Sequence, residues 1–145
     1  MSPFVDSAMP TRHVPLLDAL EPRCLLSTVV WDGGAAGTGT NFHDRFNWAG
    51  DVLPAATDDA VIPAGAGGQI VITQGITLNS LTTDRAVRVR NAELTVAAGL
   101  TTNARVELGS DLVATDYGRI RFSGSATLGG TGDVFMNTYN GPPGR

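Results

Sequence analysis

The chain of 145 residues has little of several residue types, and each shortage excludes a class of protein. Its single cysteine, Cys24, excludes an internal disulfide. No apolar run approaches the roughly 18 residues that a membrane-spanning helix needs. Lysine is missing, and the net charge of −4 argues against nucleic-acid binding, which needs concentrated positive charge. We therefore expect no nucleic-acid partner and no membrane span.

The residues that are present favour β-structure. Glycine occurs 18 times, threonine, serine and asparagine are frequent, and aromatic residues make up only 6% of the chain. Such a mixture is typical of short strands joined by many turns. Because 42% of the residues are apolar, the chain can also bury a core, and we expect an all-β fold.

An internal repeat occupies the C-terminal half of the chain. Three six-residue blocks begin at Asn103, Tyr117 and Thr131, at intervals of 14 residues, and their fourth and sixth positions are apolar. We call this spacing the repeat interval. The apolar positions are Val106 and Leu108, Ile120 and Phe122, and Val134 and Met136. Alternation with a period of two predicts short strands, and the fixed interval predicts a β-solenoid similar to a parallel β-helix with repeats of about 14 residues. Stacking at that interval would put Glu107 beside Arg121 and Arg105 beside Arg119.

A second architecture remains open at this point. At about 3.3 Å per residue, one repeat of about 14 residues spans roughly 46 Å, which suits a flattened coil of two sheets. The same interval also fits an antiparallel meander or sandwich in which each repeat makes one hairpin.

A short motif near the N-terminus indicates export. Residues 20–26 read L-E-P-R-C-L-L and resemble the LEPR-XLL motif of large exported bacterial proteins. The matching residues are Leu20, Glu21, Pro22, Arg23, Leu25 and Leu26, with Cys24 in the variable place. The resemblance implies a targeting segment, location at the cell surface or outside the cell, and a repetitive β-rich region after it. Taken alone, the same residues also fit a short amphipathic turn that docks on the first strand.

The segment that follows resembles the opening module of autotransporter-like and adhesin-like β-helix proteins. Its letters are W-D-G-G from Trp31, N-W-x-G-D-x-x-P from Asn47 and D-D-A-V-I from Asp58. The resemblance covers residues 30 to about 83 and implies the first rungs of a parallel β-helix. The aromatic residues of this segment are Trp31, Phe42, Phe46 and Trp48. Because each ring can bury about 150–250 Å², we expect them to cap the open end of the solenoid.

These observations divide the chain into four parts. We predict a disordered leader with the targeting motif at residues 1–27, a capping and first-rung module at 28–69, solenoid repeats at 70–139 and a tail at 140–145. Solenoids usually need atypical terminal repeats. We therefore expect the chain to be an N-terminal fragment of a longer polypeptide.

No motif identifies a catalytic, cofactor-binding or metal-binding residue. The glycine-rich loop 33–39 lacks the Lys-Ser/Thr of a phosphate-binding loop. His13 and His43 are poorly accompanied for a zinc site. The stretch Gly129–Asp133 is similar to a calcium-binding nonapeptide but occurs once, which favours a turn. Asp58 and Asp59, with Asp51, could hold a hard cation, but neighbouring strand residues point to opposite faces.

An acidic cluster is the remaining candidate for chemistry. Glu93, Glu107 and Asp111 are the residues that could cleave a polysaccharide, but their arginine neighbours favour ordinary ion pairs. We therefore expect a protein that is not an enzyme and has no cofactor: an exported surface or extracellular repeat protein acting as an adhesin, stalk or envelope component. Its expected partners are cell-surface polysaccharide or other envelope proteins. The alternative is a carbohydrate-binding or carbohydrate-cleaving β-helix with substrate on the outer arginine and glutamate columns.

Overall fold

The computed structural model describes residues 26–110 and 115–137, and within these ranges the protein is all-β with no α-helix. One short 3-10 turn spans Arg45–Asn47. The strands are β1 (Thr28–Val30), β2 (Asp59–Ile62), β3 (Ile70–Ile72), β4 (Ile76–Thr83), β5 (Val87–Val89), β6 (Ala92–Thr102), β7 (Val106–Leu108), β8 (Gly118–Phe122), β9 (Thr127–Gly129) and β10 (Val134–Met136). The all-β prediction is therefore confirmed.

The strands form two sheets whose paired strands run parallel. The six-stranded sheet has the order β1-β2-β4-β6-β8, with β9 also pairing with β6, and the four-stranded sheet has the order β10-β7-β5-β3. From β2 to β8 the chain visits the two sheets alternately. Every pairing between these named strands is parallel. The antiparallel meander or sandwich is therefore wrong for the described strands.

Strands that are one repeat interval apart do not pair with each other. Val106 pairs with Val134, which lies two repeat intervals further along the chain, whereas Ile120, halfway between them, pairs with Leu94 in the other sheet. One repeat interval thus joins strands of different sheets. Between β7 and β10 the apolar pattern therefore repeats at half the spacing of hydrogen-bonded neighbours. Val87 and Val106 are also paired, but they are separated by fewer residues than two repeat intervals.

The predicted outward neighbours are wrong for the same reason. Glu107 lies in register with Arg88 and, on its other side, with Phe135 rather than with Arg121. Arg105 forms an ion pair with Asp133 at 3.4 Å.

Inward side chains of successive strands stack in columns and form the core. Leu81 and Leu100 are paired and fully buried in the six-stranded sheet, and Ile70 and Val87 are paired and fully buried in the four-stranded sheet. Parallel pairing puts apolar side chains of neighbouring strands about 4.8 Å apart, so each residue shields the next from water. The continuity of these columns holds the two sheets together.

The long strands bend at fixed places. In the pairing of β4 with β6 the register shifts between Leu78 and Ser80. On its other side β6 has two partners that flank this shift: Ala92–Val96 pairs with β8 before it, and Gly99–Thr101 pairs with β9 after it. Each long strand thus comprises two straight segments.

A corner follows the long strands, and buried threonines build it. The Thr83 hydroxyl donates a hydrogen bond to the Arg85 carbonyl at 2.7 Å, and Thr102, its partner in register, donates to the Ala104 carbonyl at 2.6 Å. A threonine hydroxyl that bonds two residues onward stabilises a turn without leaving a polar group unsatisfied in the core.

One core column provides a matched test of the stacking. Leu100 is fully buried, whereas Leu128, its partner in register, is 58% exposed. We expect Leu100→Ala to lower the free energy of unfolding by about 2–5 kcal/mol, because it leaves a cavity, and Leu128→Ala to lower it by less than about 1 kcal/mol. Urea unfolding followed by circular dichroism measures both, and equal losses would contradict the described core.

Candidate interaction surface

An aromatic cluster lies beside the first strands. The rings of Trp31 and Trp48 meet edge to face with centroids 5.0 Å apart, and Phe42 lies 4.9 Å from Trp48. All three side chains are buried, and the Trp48 indole donates a hydrogen bond to the Phe42 carbonyl at 2.9 Å. The predicted participation of Phe46 is wrong, because its ring is 54% exposed and lies under the Arg45 guanidinium. In the 3-10 turn, Asn47 faces inward in its place.

The glycine-rich loop is folded around Asn47. The backbone amides of Asp32 and Gly33 donate hydrogen bonds to the Asn47 carbonyl, and the Asn47 side-chain amide donates to the Asn41 carbonyl at 2.9 Å. A Cβ atom on Gly39 would overlap the Asn47 side chain. Close packing against the Asn47 side chain therefore requires glycine at position 39.

His43 links the capping module of residues 28–69 to the turn between β3 and β4. Its Nε2 accepts a hydrogen bond from the Gln74 backbone amide at 3.1 Å, and its ring contacts Phe42. Partial burial disfavours the imidazolium and lowers the pKa of His43. Protonation of Nε2 would also remove the acceptor for the Gln74 amide.

The aspartates of the opening module take part in local hydrogen bonds. Asp58 accepts from the Ser27 hydroxyl at 2.5 Å and from the Ala55 amide at 2.7 Å. These two bonds lower the pKa of Asp58, although desolvation opposes them. Asp59 accepts from the side chains of Asn79 and Ser80 on β4. Within residues 26–110 and 115–137, no three His, Cys, Asp or Glu side chains come close enough to hold a metal ion.

A charged pair lies on the outer face of the four-stranded sheet. The Arg88 guanidinium donates two hydrogen bonds to the Glu107 carboxylate, one of them through Nε at 2.9 Å, and the Gln69 side chain donates to the same oxygen at 2.9 Å. The Gln69 hydrogen bond, together with Arg88, lowers the pKa of Glu107 against the opposing effect of desolvation. Sequence reasoning missed Arg88 and Gln69, because it assigned a different neighbour to Glu107.

A second charged group lies on the outer face of the six-stranded sheet, and we call it the arginine face: Glu93, Tyr117, Arg119 and Arg121. Glu93 is in register with Arg119 and lies 3.9 Å from the Arg121 guanidinium. The Arg119 guanidinium lies 5.4 Å from the centre of the Tyr117 ring. These contacts are exposed and individually weak.

The structure places on different sheets the two described residues of the acidic cluster predicted for polysaccharide cleavage. Glu93 lies on the six-stranded sheet and Glu107 on the four-stranded sheet, while Asp111 lies outside the described residues. Asp133 of the stretch similar to a calcium site pairs with Arg105. Within the described part of the chain there is no pocket, and no helix is long and apolar enough to cross a membrane.

The last strands expose apolar side chains that continue the core columns. Ile120 and Phe122 are in register with Leu94 and Val96, and both partners on β6 are fully buried. The exposed apolar residues of these strands are Phe122, Leu128, Val134, Phe135 and Met136. Among the described strands, β8 and β9 each pair on one side only.

All residues of the targeting motif except Leu26 lie outside the described residues. These are Leu20, Glu21, Pro22, Arg23 and Leu25. Leu26 is the first described residue and is exposed. The targeting role therefore stays a prediction from the sequence.

The packing of the glycine-rich loop predicts a position-specific effect of a methyl group. We expect Gly39→Ala to lower the free energy of unfolding by about 1–3 kcal/mol, because its Cβ would displace the Asn47 side chain. Gly65→Ala is the control, since a Cβ there has no neighbour within 4 Å. Thermal melts of both variants measure the difference, and equal melting temperatures would contradict the role of Asn47.

The lowered pKa of His43 predicts that the folded chain loses stability in mild acid. Its pKa is lower in the folded chain than the usual 6.5, so the unfolded chain binds the proton more tightly. The stability from neutral His43 is therefore complete above about pH 6.5 and is lost as the pH falls through the folded-state pKa. We expect His43→Gln to flatten the dependence of unfolding free energy on pH between about pH 7 and 5. An unchanged slope would contradict this assignment.

Comparisons with protein-family models, with curated proteins and with solved structures find no match to this chain. The resemblances to LEPR-XLL proteins and to the β-helix opening module therefore stay predictions from the amino-acid sequence.

Proposed function

We propose that the chain is a β-solenoid segment of an exported, non-enzymatic surface protein, serving as a stalk, adhesin or envelope component. Its mechanism would be geometric: a rigid stack of parallel strands displays columns of side chains at fixed spacing. The observation that carries this proposal is the in-register parallel pairing of the two sheets, whose inward columns form one core.

The pairing supports a solenoid because the chain passes through both sheets before it forms a strand that pairs with the strand of the preceding turn. Val106 on β7 pairs with Val87 of the preceding turn on one side and with Val134 of the following turn on the other. In this proposal one turn from β7 to β10 comprises two repeat intervals, one for each sheet. Neighbouring turns bury each other's apolar faces, as stacked repeats do.

The outward columns support a display role. Val71, Arg88, Glu107 and Phe135 follow one another across the outer face of the four-stranded sheet. Their side chains need not fill the core, so their chemistry can vary without loss of the stack. Glu93 and Arg119 form the corresponding column on the other sheet.

Export is the part of the proposal that the sequence motif supports. The six fixed positions of the LEPR-XLL pattern are all present within residues 20–26. Carbohydrate binding is less well supported, because the two arginines of the expected substrate column are not neighbours: Arg105 precedes β7 and pairs with Asp133, whereas Arg119 lies on β8 of the other sheet.

The test is localisation in a bacterial host that exports other LEPR-XLL proteins. We expect the intact chain in the exported fraction, where added protease can reach it. Leu25→Asp/Leu26→Asp should stay inside the cell, because it changes the motif and leaves the two sheets intact. Retention of the intact chain beside an exported LEPR-XLL control protein would contradict the proposal.

A further inference from the structure

We propose that Arg85 and the loop of residues 63–68 bind a small inorganic anion of the size of chloride. We call this loop the glycine strap; it reads P-A-G-A-G-G and lies between β2 and β3. Two features of the described residues meet there: a buried cation without a carboxylate partner, and a run of backbone donors without acceptors. The inference goes beyond the display role and does not depend on where the chain is located.

The cation is the Arg85 guanidinium, at the corner between β4 and β5. Arg85 is only 7% exposed, and its Nη2 donates a hydrogen bond to the Gly68 carbonyl at 2.8 Å. None of the ion pairs among the described residues includes Arg85. A guanidinium has five N–H donors, and a buried charge is costly unless opposite charge or hydrogen bonds compensate it. One carbonyl leaves most of this demand to a further acceptor.

The carboxylates on either side of this corner have other partners. Asp84 precedes the arginine in the sequence, but its Oδ1 accepts a hydrogen bond from the Asn103 side chain at 2.6 Å, on the side of the following turn. The guanidinium bonds in the opposite direction along the stack, to the strap. Glu107, which accepts from Gln69 next to the strap, forms its ion pair with Arg88. The counterion is therefore best supplied from solution.

The strap provides further donors beside the cation. Its six residues are exposed, and within the described residues none of the backbone amides of residues 64–68 donates a hydrogen bond. Backbone N–H groups that follow one another in a loop can form a concave site for an anion. A cation and free amides in one place favour the same kind of ligand, because an anion accepts hydrogen bonds from both.

Close approach of the strap to the guanidinium requires glycine. Gly67 has a φ of +108°, and a Cβ atom on it would lie 2.7 Å from Arg85 Nη2 and 3.1 Å from the Thr38 Cα. The backbone of the strap therefore passes between the guanidinium and the glycine-rich loop 33–39. An anion at this place would bridge the capping module and the repeats.

The space around Arg85 restricts the ligand to a small ion. The described residues form no pocket, so a sugar or a nucleotide has no cavity to enter. The strap is exposed and rich in glycine, and its backbone can adjust to a monatomic anion. Chloride is therefore the ligand class that both the donors and the space fit.

Melting temperatures in chloride and in gluconate test the proposal, because gluconate is too large for this place. At equal ionic strength, we expect chloride to raise the melting temperature of the full-length chain saturably, by roughly 3–6 °C at about ten times its Kd. Arg85→Met keeps the length of the side chain, removes its charge and should abolish the difference. Arg45→Met is the matched control, because it removes the same charge from the exposed 3-10 turn and should retain the difference.

Bromide locates the ion directly, since it replaces chloride and scatters X-rays anomalously. In crystals of the wild-type chain grown with sodium bromide, we expect an anomalous peak within hydrogen-bonding distance of the Arg85 guanidinium and the strap amides. The wild-type map also decides the question if Arg85→Met does not fold.

Three results would overturn the proposal. The first is the same wild-type melting temperature in chloride and in gluconate, and a bromide peak seen without that difference would then be an adventitious ion only. The second is a chloride effect that folded Arg85→Met retains. The third is a bromide map without a peak at Arg85. Because purified protein is used, none of these results depends on export.

Discussion

The structure depends on the stacking of apolar side chains between parallel strands in register. A single pair of such strands buries little, but each additional strand covers the one before it, and the core grows along the stack. Leu81 and Leu100 are fully buried because both of their neighbours in the column are present. Leu128, at the end of the same column, remains exposed. Burial in this fold is therefore set by position along the stack more than by residue type.

The two ends of the stack differ in how they meet solvent. Beside the first strands, Trp31, Phe42 and Trp48 form a buried cluster held in place by the loop around Asn47. Beside the last strands, apolar columns reach the surface together with two exposed arginines. Within the described residues, the clustered aromatic side chains at one end of the stack are buried, whereas apolar side chains of the last strands are exposed.

Much of the fold could be predicted from the sequence, because alternation and turn residues report directly on local structure. The strands around Val106, Ile120 and Val134 were all predicted at their observed positions. Their neighbours could not be predicted correctly, because equivalent apolar residues occur in both sheets and pattern alone does not say which sheet a strand joins. The ion pair of Glu107 with Arg88 was missed for that reason.

Other features depend on tertiary contacts that leave no local signal. Phe46 and Trp48 are close in the sequence and both aromatic, yet only Trp48 is buried. The 3-10 turn decides the difference, since it directs Asn47 inward to hold the glycine-rich loop. The arginines of β8 were visible in the sequence, but their contacts with Glu93 depend on which strand β8 pairs with.

Disulfide cross-linking tests the central claim of in-register pairing most directly. Thr95 and Arg121 are outward partners in register, whereas Glu107 and Arg121 are one repeat interval apart and lie on different sheets. In a Cys24→Ser background, Thr95→Cys/Arg121→Cys should oxidise to an intramolecular disulfide, because neighbouring parallel strands bring Cα atoms within the roughly 4.4–6.8 Å that a disulfide spans. Glu107→Cys/Arg121→Cys should remain reduced. Cross-linking between positions 107 and 121, with none between positions 95 and 121, would contradict the account.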